Sequence, residues 1–200
     1  MPMDIVRVTS PAKTYFSFLS VGWGLMADID IESERLRFLG EPRFAIWSIY
    51  RSIFKRKYRG TLSYLPKNNS ESHIPRLEEP IPDSWVTITD DFCLVYAGYQ
   101  KYLSSIVEFA PESTLDDETI YLLYIKDGAS TIQLIQFLLA MEKGLHTKLP
   151  FVSYNPVRAF RLAPEGQNDI LTVDGDQIPC SPVQAEVIPQ FASIMLRTPK

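Results

Sequence analysis

Apolar residues in this chain come mostly in short runs of strand length, each cut off by proline, glycine, asparagine or aspartate. Fifteen prolines against nine glycines supply many of the interruptions. Proline removes a donor from a helix or a sheet ladder, so such a chain can build only short elements. Valine, tyrosine and phenylalanine inside the runs favour strands. The pattern predicts a mainly β domain of the α+β class, an antiparallel β-sandwich carrying two main helices. Strands are expected over residues 85–88, 92–96, 120–125, 151–154, 157–162, 170–173, 183–187 and 192–196. A further buried strand is expected from Tyr15 through Gly22-Trp23-Gly24 into Leu25-Met26-Ala27, its glycines marking close backbone approach.

Two segments switch to helical spacing. Residues 43–58 carry Phe44, Ile46, Trp47, Ile49, Tyr50, Ile53 and Phe54 as a broad apolar face. Arg51, Lys55, Arg56 and Lys57 gather toward the end where cations suit the helix dipole. Residues 130–144 are apolar on almost every side and close on Gly144, so enclosure by protein or by ligand is expected. Residues 66–82, rich in Pro, Asn, Ser, Lys and Glu, read as a surface loop inserted into a single domain spanning 1–200.

Twenty basic against 24 acidic residues give a net charge of −4, which offers no electrostatic footprint for nucleic acid. Cys93 and Cys180 are too few and too far apart for a disulfide framework or a zinc site. No stretch approaches the roughly 18–20 apolar residues of a membrane span, and the first residues do not resemble a signal peptide. A cytoplasmic chain with reduced thiols is the expectation.

The densest charge cluster is Ala27-Asp28-Ile29-Asp30-Ile31-Glu32-Ser33-Glu34-Arg35-Leu36-Arg37. Read plainly, it is a charged strand end running into a helix. A metal site of Asp28, Asp30 and Glu32 lacks the histidine or turn glycine that would complete a ligand loop. A sharper reading sets an acid beside a glycine-bearing strand that a ligand could approach, with Arg37 and Arg43 free for anionic oxygens. Asp174-Gly175-Asp176 reads on its own as a hairpin turn whose glycine supplies the positive φ.

The segment Ser20-Val21-Gly22-Trp23-Gly24-Leu25-Met26-Ala27-Asp28-Ile29-Asp30-Ile31-Glu32-Ser33-Glu34, followed by Leu39-Gly40-Glu41 and Arg43-Phe44, resembles the opening of the C-terminal, lipid-binding half of sphingosine kinases, within the diacylglycerol-kinase-like superfamily. Tyr58-Arg59-Gly60-Thr61-Leu62-Ser63-Tyr64-Leu65-Pro66, Leu139-Ala140-Met141-Glu142-Lys143-Gly144-Leu145-His146, Val157-Arg158-Ala159-Phe160-Arg161-Leu162 and Val173-Asp174-Gly175-Asp176 follow in the family's order. The resemblance covers nearly the whole chain.

What it implies is ATP- and magnesium-dependent phosphorylation of the primary hydroxyl of sphingosine. It implies Asp30 at the lipid ammonium with Ser20 close by. It implies a tail pocket lined by Leu25, Met26, Ile29, Phe44, Ser48, Leu138 and Met141, with His146 near the closed end. Without the resemblance, those apolar residues are core and His146 is a surface residue. Arg37, Arg43, Asp174 and Asp176 are implied at the nucleotide cleft, Asp176 standing where glutamate is common. Ile46, Ile49 and Tyr50 are implied to touch a membrane, giving peripheral association. Asp28, two residues before Asp30, would serve as a control for negative charge alone.

The family's Gly-Gly-Asp-Gly loop and catalytic aspartate belong to an N-terminal kinase domain. Neither that loop nor a G-x-x-x-x-G-K-[ST] motif occurs in these residues, so no catalytic residue is expected among them. The chain is expected to correspond to the C-terminal half of a two-domain enzyme and to be inactive alone. Ceramide and diacylglycerol kinases act on uncharged lipids and have less reason to keep Asp30. A non-catalytic lipid-binding or membrane-docking module is the remaining alternative.

Overall fold

The computed structural model describes residues 1–195 apart from 41, 72 and 106. Its strands are β1 (Pro2–Thr9), β2 (Thr14–Ser17), β3 (Ser20–Gly24), β4 (Tyr58–Pro66), β5 (Val86–Gly98), β6 (Tyr102–Ser104), β7 (Val107–Glu108), β8 (Ile120–Lys126), β9 (Ser153–Pro164), β10 (Leu171–Val173), β11 (Asp176–Ile178) and β12 (Val183–Ser193). Its α-helices are α1 (Leu25–Glu32), α2 (Pro42–Ile53) and α3 (Thr131–Ala140), with 3₁₀ turns at Ser33–Leu39, Met141–Lys143 and Leu145–Lys148.

The run Ile120-Tyr121-Leu122-Leu123-Tyr124-Ile125 has no charged residue, so a strand made from it needs cover on both faces. In β8 that cover divides cleanly. Ile120, Leu122 and Tyr124 enter one core, centred on Trp23, Leu62 and Phe160, while Tyr121, Leu123 and Ile125 enter a second with Leu25, Ile29, Phe109, Leu134 and Phe137. The first core lies within the sheet. The second lies between the sheet and the helices.

One antiparallel sheet runs in the order β11-β10-β3-β5-β4-β9-β12-β1-β2, with β8 pairing to both β5 and β9, and β6 and β7 form a separate pair. Besides its pairing with β3, β5 meets two strands in succession, β4 over residues 86–92 and β8 over 92–98. β9 likewise pairs with β8 over 153–157 and with β4 over 157–164. The sharing folds the sheet back over its own core, giving the sandwich that the strand pattern predicts.

Several expected elements differ. The strand from Tyr15 breaks after Ser17, resumes at Ser20 and stops at Gly24, where φ of +86° turns the chain into a third helix, α1. Residues 85–88 and 92–96 are one strand apart from Trp85, because Asp90 and Asp91 between them meet Lys126 and Arg59 instead of ending it. Residues 183–187 and 192–195 approach a single strand, β12, with Pro189 where its register with β1 shifts. Leu196, like Glu41, lies outside the described residues.

α3 begins with a capping box, Ser130 accepting from the Gln133 N–H and Gln133 from the Ser130 N–H. Its continuation ends on Gly144 at φ +62°. Ile132 and Leu139 are nevertheless exposed, so this helix is enclosed on one side only. Residues 67–85 form no strand or helix among those described but do not hang free. Arg158 donates to the carbonyls of Asn69 and Glu71, Arg161 to those of Arg76 and Glu79, and Gln184 to that of Pro75. Beneath them Ile74, Ile81 and Trp85 pack on Leu65 and Ala159. Among the described residues no helix is long and apolar enough to cross a membrane.

Candidate functional site

On a helix, residues four apart share a face, and the residue between them points away. α1 applies this to its three acids. Asp28 and Glu32 face α2, where Arg51 forks onto Glu32 through Nε at 2.5 Å and through Nη2, and lies 3.5 Å from Asp28. Trp47 Nε1 donates to Glu32 at 3.0 Å, Tyr58 OH to Asp28 at 2.5 Å, and Arg56 reaches both acids at 3.3 and 3.4 Å. Burial raises the Asp28 pKa against the Tyr58 hydrogen bond and the Arg51 charge. Burial also opposes ionisation of Glu32, but the hydrogen bonds from Arg51 and Trp47 outweigh it and lower the pKa. Asp28 is thus no neutral control for Asp30. It is a buried structural acid, and with Asp30 on the opposite face the three carboxylates do not converge on a metal.

Asp30 faces the hairpin between β10 and β11. Its carboxylate is half-buried and receives no hydrogen bond from any described residue, and a Cβ added at Gly175 would lie 3.5 Å from its Oδ2. Burial raises its pKa, the Arg43 charge opposes the shift, and Glu34 and Asp176 add to it. Asp174 and Gly175 both take positive φ, +52° and +84°, as a two-residue hairpin turn requires. The Asp174 carboxylate is not free for a nucleotide or a metal. It accepts from Ser17 Oγ at 2.6 Å and from the N–H groups of Phe18, Leu19 and Ser20 at 3.1, 3.0 and 2.9 Å, fixing the link between β2 and β3. Ser20, set by this link, is buried and accepts a hydrogen bond from Tyr96 OH.

The arginines converge on Glu34. Arg43 pairs with it while its guanidinium lies 4.4 Å from the Phe44 ring centroid, and the exposed Arg37 lies 3.6 Å from the same carboxylate. Asp176 is exposed at the hairpin.

The residues assigned to a lipid tail meet, but as packed protein. Leu25, Ile29 and Met141 are buried in the second core with Met26 and Leu138 against it, whereas Phe44 is exposed and Ser48 half-buried. Two hollows among the described residues lie elsewhere, one of about 360 Å³ by Met3, Phe18 and Tyr102, the other of about 300 Å³ by Gln133 and Phe151.

His146 is fully buried rather than on the surface. Phe109 stacks on its ring at 5.6 Å, and Phe137 and Tyr154 meet it edge-on at 5.8 and 6.3 Å. Burial draws its pKa down to about 4, against the Phe109 backbone and the Glu108 charge. Between the ordinary value of 6.5 and about 4 the unfolded chain takes the proton and the folded one does not, so stability falls as pH falls through that window. Urea titrations of wild type and His146→Phe should diverge in slope there, by up to about 3 kcal/mol at pH 4. Parallel profiles would mean that the folded ring takes up its proton freely.

Arg51, Trp47, Tyr58 and Tyr96 have no place in the sequence-based site. Only the i, i+4 spacing of Asp28 and Glu32 pointed to the first three.

No family model matches the chain. It is 36% identical over 209 residues to sphingosine kinase 1 of Rattus norvegicus and 36% over 210 residues to that of Homo sapiens, covering in each case 95% of this chain and 55% of the relative. To sphingosine kinase 1 of Arabidopsis thaliana it is 29% identical over 188 residues, 84% of this chain and 39% of the relative. The chain therefore spans about half the length of the curated mammalian relatives it matches. A solved structure described as a candidate diacylglycerol kinase from Bacillus anthracis str. Sterne superposes with a TM-score of 0.62 at 17% identity, over 95% of this chain and 55% of that one, a likeness of fold. Along 95% of its length the chain is similar in sequence to part of the sphingosine kinases, and it shares its fold with that Bacillus anthracis structure.

Proposed function

We propose that this chain is the C-terminal, lipid-facing half of a sphingosine kinase, which binds the long-chain amine and completes the nucleotide cleft of an N-terminal kinase domain. The observation that carries the reading is Asp30, a half-buried carboxylate without a hydrogen-bond donor among the described residues, two residues from Asp28, which has several. A lipid ammonium is the partner it lacks, and pairing with one would offset the cost of its burial. The second core supplies apolar surface for the tail, which enters by separating residues of that cluster such as Met26, Leu138 and Met141. ATP, with magnesium, is the phosphoryl donor in this reading. Arg37 and Arg43 are the groups on this chain for its phosphates, with Asp176 at the rim.

α2 supports peripheral membrane contact. Its packed side carries Arg51, Ser52 and Trp47, while Ile46, Ile49, Tyr50 and Ile53 are left exposed beside Phe54 and Phe38. Such a helix can lay its apolar face into a bilayer surface, next to the second core.

Asp30→Asn keeps the side-chain size and deletes the charge. Because Asp30 is half-exposed, the loss falls below that of a fully desolvated pair, and sphingosine affinity should drop roughly 10- to 100-fold. Exposed Glu142→Gln is the charge control. Unchanged sphingosine binding by Asp30→Asn, or an equal loss for ceramide or diacylglycerol, would leave a neutral-lipid kinase or a plain lipid-binding module as the better reading.

A further inference from the structure

Gly22 of β3 pairs with Tyr96 of β5. A Cβ at position 22 would lie 3.0 and 3.1 Å from two carbons of the Tyr96 ring and 2.8 Å from Thr172 Oγ1, so glycine is what lets that ring lie against the strand. Phe109 meets the ring edge-on at 5.2 Å. Held between them, Tyr96 points its hydroxyl at Ser20 Oγ and donates at 2.9 Å. Burial, with the Asp30 and Asp174 charges nearby, raises the phenol pKa, against the effect of the Ser20 hydrogen bond.

Ser20 is 3% exposed, and its own hydroxyl hydrogen has no acceptor among the described residues. A buried hydroxyl with an unused hydrogen is costly unless something accepts it. Asp30 presents the complementary deficit, an acceptor without a donor. Both residues lie near the Asp174-Gly175 turn, Ser20 through its N–H to Asp174, and Asp30 with its Oδ2 3.5 Å from where a Cβ at Gly175 would stand. A ligand that satisfies both needs a cation for Asp30 and, next to it, an oxygen that can accept from Ser20.

We propose that Tyr96 is a positioning residue: by filling one lone pair of Ser20 Oγ it commits the Ser20 hydroxyl to donate to a ligand oxygen beside the cation at Asp30, so the site selects long-chain amino alcohols over plain long-chain amines. The inference rests on the ammonium reading of Asp30 and adds a specificity element to it. Tyr96→Phe tests it with the ring, and its seat over Gly22, left in place.

Dihydrosphingosine, octadecylamine and octadecanol are titrated in mixed micelles into the 200-residue chain and its variants. Wild type should prefer dihydrosphingosine over octadecylamine by about three- to tenfold, the size of one hydrogen bond. In Tyr96→Phe the preference should collapse toward unity with octadecylamine affinity unchanged, and Ser20→Ala should do the same, with no further loss in the double variant. Equal weakening of both amines would show a merely structural role, and a retained preference would exclude Tyr96; either overturns the proposal. Wild type binding both amines no better than octadecanol would remove the ammonium reading itself, and this inference with it.

Discussion

Arg51→Ala should cost about 3–5 kcal/mol of stability and lower Tm by roughly 10 °C. Arg51 is 7% exposed and is the chief cation for both Asp28 and Glu32, so its removal leaves two acids at the α1–α2 contact with only the half-exposed Arg56 nearby. Arg51→Lys keeps the charge without the fork and should fall between the two. The effect has a pH signature. Glu32 has a lowered pKa, so its ion pair contributes above the ordinary value of 4.5 and is lost as pH falls through the folded value. The gap between wild type and Arg51→Ala should narrow on acidification below 4.5. A loss under about 1 kcal/mol in guanidinium melts would reduce the network to the worth of a surface ion pair.

Gly24→Ala should be comparably damaging, for two separable reasons. Gly24 sits at φ +86°, ψ −142°, a region that side chains rarely enter, which costs on the order of 1–3 kcal/mol. A Cβ there would also lie 2.7 Å from the Cys93 carbonyl oxygen and 3.0 Å from Leu94 Cα, backbone atoms of β5 that cannot swing aside. Gly40 provides the comparison, with φ +69°, ψ −143° and nothing within 4 Å of its Cβ position. Gly40→Ala should show the backbone strain alone and Gly24→Ala about 2 kcal/mol more. Equal losses would show that β5 yields to the new methyl group.

The reading of residues 25–27 as strand, with the acids after them as a charged strand end running into a helix, erred for a physical reason. Asp28, Asp30 and Glu32 alternate with isoleucines, and alternation with β-branched residues is what a half-buried strand looks like. As a strand the three acids would share one face. As the helix they form, two are sealed against Arg51 and only Asp30 is left for a ligand. The decisive information was non-local, the crowding at Gly24 by β5 and the arginine on α2. For α2 the apolar spacing alone does not say what its face meets. Its neighbour offers carboxylates, so the polar side packs and the isoleucines stay exposed. β8 was legible because an uncharged apolar run allows one solution whatever its neighbours. Tyr96 was legible as a strand residue, but its place over Gly22 depends on a pairing between distant segments, which neither segment announces.

The pairing of β1 with β12 sets the schedule of folding. Met1 and Ile194 exchange backbone hydrogen bonds across a separation of 193 positions, and Val6 and Val8 of β1 are buried with β12 paired beside them, the last of the described strands in chain order. At about 5–20 residues per second the ribosome takes on the order of ten to forty seconds to deliver β12 after β1 has emerged. During that time β1 has only the four-residue β2 beside it. The sheet therefore closes on this side only after synthesis of Ser193, and until then β1 keeps one edge without its native partner.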